Sequence, residues 1–144
     1  MPLITRLFIK SGMIFFVLSL ITGVIMQFEE FTFPVLLPLF WHMLMLGWIT
    51  QIIMGLSLWM FPGRKTEESF RNQIFAWLAF SCLNTGLILR VITEPFVTYQ
   101  NTFFKALLAV SAVLQVLAAV FYIIEIWPRV LSKKQSIQKR KEAR

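Results

Sequence analysis

The sequence predicts an all-α integral membrane protein, a four-helix up-down-up-down bundle with both termini cytoplasmic. Three observations predict it. The 144 residues, enough for one domain, are 58% hydrophobic and only 15% charged, with a mean hydropathy of +0.72. A water-soluble fold of this size cannot bury so much apolar surface. Second, charge-free runs of 18, 33, 18 and 19 residues lie between Lys10 and Glu29, Glu30 and Arg64, Arg71 and Arg90, and Lys105 and Glu125. Each is close to or beyond the roughly 20 residues that a helix needs to cross the hydrocarbon core. Third, the basic residues are distributed unevenly. The N-terminal segment, the "FPGRKTEESFR" loop and the tail carry 2, 3 and 7 Lys/Arg, against only Arg90 and Lys105 in the other connections. The positive-inside rule then puts both termini in the cytoplasm, and the expected location is the inner (cytoplasmic) membrane.

The first helix is predicted over about residues 8–28. Arg6 and Lys10 precede it as they would a signal peptide, but "GVIMQFEEF" contains no small-x-small cleavage site, so the segment reads as a retained span. Gly12 and Gly23 allow a neighbouring helix to come close. The second helix, about 34–61, opens near Pro34 or Pro38, since proline suits a first turn, and closes at Pro62-Gly63. The third covers about 72–92 and stops before Glu94-Pro95. The fourth covers about 102–127, with Pro128 just beyond. Trp41, Trp59, Trp77, Tyr99 and Trp127 lie mostly near span ends, as interfacial aromatics do. Residues 1–131 thus form the transmembrane domain, and 132–144 a basic cytoplasmic tail.

The net charge of +7 does not point to nucleic acid, because half of the basic residues follow directly on a helix end. That placement suits a topology signal and contact with anionic lipid headgroups. The lone Cys82 excludes an internal disulfide or a CxxC redox centre, and with it membrane thiol oxidoreductase chemistry. The first span has no carboxylate, whereas four-helix proton-coupled exporters place one there.

His42 is the one histidine in the chain, and it sits in an apolar span. At 100° per residue it shares a face with Leu46, Ile49, Ile53 and Leu56, opposite Gly47, Gln51 and Gly55. The Gly/Gln face suits helix contact. The histidine face offers one nitrogen above an aliphatic wall, a shape that fits a flat apolar macrocycle such as heme. The plainer reading is a packed histidine hydrogen-bonded to a carbonyl or hydroxyl of a neighbouring helix. Zinc is a poor fit, because it takes about four N or S ligands. The methionines, three of them in the same helix (Met43, Met45, Met54), serve either as core filler or as a thioether ligand.

His42, Gly47-Trp48, Gly55 and Pro62 together resemble the second-helix heme-ligand segment of short membrane proteins related to heme-copper oxidase subunit I. They also resemble that of the nitric-oxide-response membrane heme proteins grouped with them. "CLNTGLILRVITEP", with Asn84, Gly86, Arg90 and Glu94-Pro95, is similar to a stretch of such four-helix relatives, and the likeness covers residues 6 to 95. The resemblance implies heme b with His42 as axial ligand, Leu46, Ile49 and Ile53 against the macrocycle, and Arg90 near its propionates. It implies a role in gas (NO/O2) response, or as a small redox subunit of a respiratory complex. The departures are as informative. With no second histidine the chain cannot build an oxygen-reducing site, so it is not an oxidase on its own. The other axial position is left open, or is filled by Met, by a second copy's His42 or by a partner subunit. The alternative function is a cofactor-free structural or accessory subunit, and for Arg90 the alternative is a pair with Glu94 one turn on. Ser111 and Gln115 on the fourth helix, with Asn84, read as interhelical hydrogen bonding, and Glu125 as a partner for Arg129. The sequence leaves open whether the chain works alone, as a homodimer or within a larger membrane redox complex.

Overall fold

The computed structural model describes residues 1–28, 36–61, 73–96 and 102–142, with side chains to Val130. Glu29, Glu30, Pro34, Tyr99 and the basic loop after Phe61 lie outside the described residues. Four helices are long and apolar enough to cross a membrane, and the described residues contain no strand. We label them α1 (Leu3–Ile25), α2 (Leu36–Met60), α3 (Ile74–Thr93) and α4 (Thr102–Glu142). A 3-10 turn, Glu94–Phe96, follows α3.

α1 starts at Leu3, five residues earlier than the apolar run suggests. Pro2 supplies the N-cap position, and the Pro2 carbonyl accepts from the Arg6 amide. Helix formation is not bounded by the hydrocarbon, because exposed Arg6 and Lys10 can run their aliphatic stems along the span and keep their charges at its edge. α2 has three stretches: α-helical Leu36–His42, π-helical Met43–Thr50, and α-helical Gln51–Met60. The fourth helix departs most from the sequence expectation. It does not stop at Trp127 but continues through Pro128 to Glu142, about 60 Å in all at 1.5 Å per residue. Pro128 cannot donate to the Ile124 carbonyl. Spans accommodate such a gap when other groups re-satisfy the backbone, and the Lys-, Gln- and Arg-rich sequence beyond it favours helix.

α1 and α2 contact each other in opposite order along the chain. Phe8 lies against Gly55, Ile52 against Gly12, Phe15 against Gly47, and Phe40 against Gly23. Trp48 packs on Phe16 with ring centroids 4.0 Å apart. α3 and α4 pair the same way, through Phe75 with Phe121, Gly86 with Ser111, and Phe96 with Phe104. The core joins the two pairs: Phe8, Phe15, Leu39, Met43, Met54, Leu58, Ala79, Leu83, Leu87 and Ala118 are buried, and Phe8 meets Phe80 edge-on at 5.1 Å.

Polar groups inside the spans are mostly satisfied locally, as a hydrocarbon surrounding requires. Ser19, Thr22 and Thr93 donate to carbonyls three or four residues back. Five hydrogen bonds among the described residues cross between helices. Ser11 donates to Gln51, whose amide donates to Asn84 at 3.0 Å, and Asn84 donates to Phe80 O, so one chain of bonds ties α1, α2 and α3. Ser111 donates to Gly86 O at 2.7 Å. At the other end of α2, the Ser57 and Tyr122 hydroxyls bond to each other, and Arg129 donates both to Glu125 and to Leu58 O. Ser111, Asn84 and the Glu125–Arg129 pair therefore have the partners expected of them, whereas Gln115 donates within its own helix, to Ser111 Oγ at 3.3 Å.

Candidate functional site around His42

His42 is the last residue of the first α-helical stretch of α2, directly before the π-helical one. α2 has 25 residues, about 37 Å, against a hydrocarbon core of about 30 Å, so a centred α2 holds His42 about 5 Å inside the apolar slab. The ring is half-buried, and its Nδ1 lies 2.7 Å from the Pro38 carbonyl oxygen. A carbonyl can only accept, so Nδ1 carries a proton, and in the neutral ring the free lone pair is on Nε2. Among the described residues His42 makes no other hydrogen bond. The partner is thus a carbonyl of its own helix, four residues back, and not a group on a neighbour.

The stretch after His42 changes which residues share its face. A π-helix bonds i to i+5 and has more residues per turn than an α-helix; Thr50 Oγ1 donates five residues back, to Met45 O. The buried line through α2 runs Leu39, Met43, Gly47, Gln51 and Gly55 in steps of four. Gly47, Gln51 and Gly55 are buried, with Gly47 and Gly55 against α1. Ile49, Ile53 and Leu56 are exposed, whereas Leu46 is partly buried and packs against the core. The aliphatic wall is therefore divided, with its two isoleucines outward and Leu46 turned in. A regular α-helical wheel has no means of showing this, because nothing in "MLMLGWIT" announces a change of helix type. Met43 and Met54 are core residues, while Met45 is exposed.

Arg90 lies in the last turn of α3, at the end of the bundle where Glu94–Phe96 contacts Leu36–His42. Its Nε donates to Glu94 Oε2 at 3.2 Å, and the Glu94 side chain is only 6% exposed. The pairing with Glu94 is thus present, and the terminal Nη1 and Nη2 groups make no bond among the described residues. The described residues hold no group of three or more His, Cys, Asp and Glu able to bind a metal ion directly. A metal held at His42 by the described residues alone would have to bring further ligands of its own, as a porphyrin does. Cys82 is free and half-buried. No protein-family model, curated protein or solved structure matches this chain.

Proposed function

We propose that this chain is an integral membrane protein of the inner (cytoplasmic) membrane that binds heme b through His42 as its single histidine ligand. It serves either in gas (NO/O2) response or as a small redox subunit of a respiratory complex. The observation that carries the reading is the state of the imidazole. Its Nδ1–H is committed to Pro38 O, which leaves Nε2 as an unshared donor atom inside an apolar span, on the helix that exposes Ile49 and Ile53. Intramembrane ionisable residues are functional candidates by default, and the bond to Pro38 O occupies only one of the two ring nitrogens. When bound, heme would supply either binding of a diatomic gas or one-electron redox chemistry.

In this reading Ile49 and Ile53 contact the macrocycle, Leu46 backs His42 from the core side, and Arg90 offers Nη1 and Nη2 to a propionate. Glu94 neutralises part of the Arg90 charge, so Arg90 contributes orientation more than net attraction. The bundle crosses the membrane up-down-up-down with both termini cytoplasmic, following the basic-residue bias. The basic tail lies near anionic headgroups, and the protein acts as a homodimer or within a larger membrane redox complex, with no nucleic-acid partner.

A second reading, a cofactor-free accessory subunit, is favoured by two polar groupings that are satisfied within the bundle. The Ser11–Gln51–Asn84 chain and the Arg90–Glu94 pair need no ligand. Reduced-minus-oxidised and reduced-plus-CO absorption spectra of the purified protein, beside His42→Ala, separate the two. A heme b signal absent from the variant supports the first reading. A well-folded protein with no chromophore after heme addition supports the second.

A further inference from the structure

We infer that Arg129 of α4 is the C-terminal cap of α2, standing in for the amide that Pro62 lacks, and that it latches the two helices together there. This role does not depend on what His42 binds. α2 ends at Met60, and Phe61 turns to extended backbone (φ −85°, ψ 119°), as the residue before a proline is biased to do. The Phe61 amide donates to Ser57 O at 3.0 Å. The next amide in the series would belong to residue 62 and reach Leu58 O, but residue 62 is proline and has no N–H. Leu58 is buried, whereas Trp59 and Met60, whose carbonyls follow, are exposed. Leu58 O is therefore the carbonyl at this helix end that needs a donor from inside the bundle.

Arg129 meets that need. Its Nη1 donates to Leu58 O at 3.2 Å, while Nε and Nη2 donate to Glu125. A planar guanidinium can serve both at once. The cation also suits the negative end of the α2 dipole, and Glu125 balances it, so no lone ion is buried. Arg129 is the first residue past Pro128, the proline inside α4. Proline is a common site of helix bending, and the bond to Leu58 O holds the part of α4 beyond it against the end of the helix that carries His42.

Full-length protein in lipid nanodiscs tests both parts. Glu125→Leu with Arg129→Met removes the cap without stranding a charge. The amides of Trp59, Met60 and Phe61 should then exchange with deuterium about 10- to 100-fold faster than in wild type, as loss of a charged hydrogen bond implies. Adding Pro62→Ala supplies the missing amide and should restore most of the protection. Exchange unchanged by the double variant, or not slowed by Pro62→Ala, overturns the cap. If the double variant fails to fold, recovery of folding by Pro62→Ala becomes the readout, and no recovery overturns the cap likewise. The latch is read separately, from spin labels at Met60→Cys and Val130→Cys in a Cys82→Ser background. Their distance distribution should be narrow with Arg129 present and broad in the triple variant, where α2 is capped again but Arg129 is gone. Equally narrow distributions overturn the latch.

Discussion

Replacing Gly47 with alanine should loosen the α1–α2 pair, and the geometry gives the size of the effect. A Cβ built on Gly47 would lie 2.7 Å from Phe15 Cβ, 2.8 Å from its Cγ and 3.2 Å from its Cδ1. Ordinary van der Waals contact begins near 3.4 Å, so about 0.7 Å of separation must be found. Phe15 cannot supply it by rotating, because its Cβ is fixed to the α1 backbone; the helices themselves must part. Overpacking of this kind costs about 1–3 kcal/mol, while Gly→Ala in a helix returns up to about 1 kcal/mol. The expected net loss is about 1–2 kcal/mol. Gly23→Ala is the matched control, because its Cβ would meet only the ring edge of Phe40, with Cε2 at 3.3 Å, and that ring can turn aside. SDS-induced unfolding of the purified protein in mixed micelles measures both. Gly47→Ala should unfold at lower SDS than wild type and Gly23→Ala at the same or higher. Equal stability of the two variants would refute the close approach of α1 and α2 at Gly47.

Three further substitutions probe the polar groups and the proline inside the bundle. Gln51→Leu removes the middle of the Ser11–Gln51–Asn84 chain and leaves the Asn84 carbonyl oxygen unpaired; the same assay should register a loss of about 1–2 kcal/mol, the range for interhelical bonds in membranes. Arg129→Met strands buried Glu125 and unpairs Leu58 O; the loss should reach about 3–5 kcal/mol and be partly relieved by adding Glu125→Leu, since the cost lies in the uncompensated charge. Pro128→Ala restores a donor for the Ile124 carbonyl in a helix that already continues past it, so helicity by circular dichroism should hold or rise and thermal stability should increase.

Much of the fold was legible because the hydrocarbon slab imposes a length on apolar runs, and four such runs stand between charges. Contact positions were legible where small residues occur, as at Gly12, Gly47 and Gly55, and the i,i+4 spacing announced Glu125–Arg129 and Arg90–Glu94. The continuation of α4 past Pro128 was not legible, because proline's preference to end a helix is local and the helix-favouring residues beyond it act against it. The π-helical turn after His42 was hidden as well. Nothing in "MLMLGWIT" marks a change of helix type, and Leu46 lies toward the core while Ile49 and Ile53 stay out. His42 itself stands out in the sequence, but its bond to Pro38 O depends on a rotamer that only the folded helix defines.

The most direct test of the central claim is hemin titration of the purified protein in lipid nanodiscs, wild type beside His42→Ala. The account predicts a Soret band that saturates in the wild type and is lost in a variant of unchanged helicity. A folded wild-type protein that develops no Soret band, or a variant that binds as well as wild type, would contradict it.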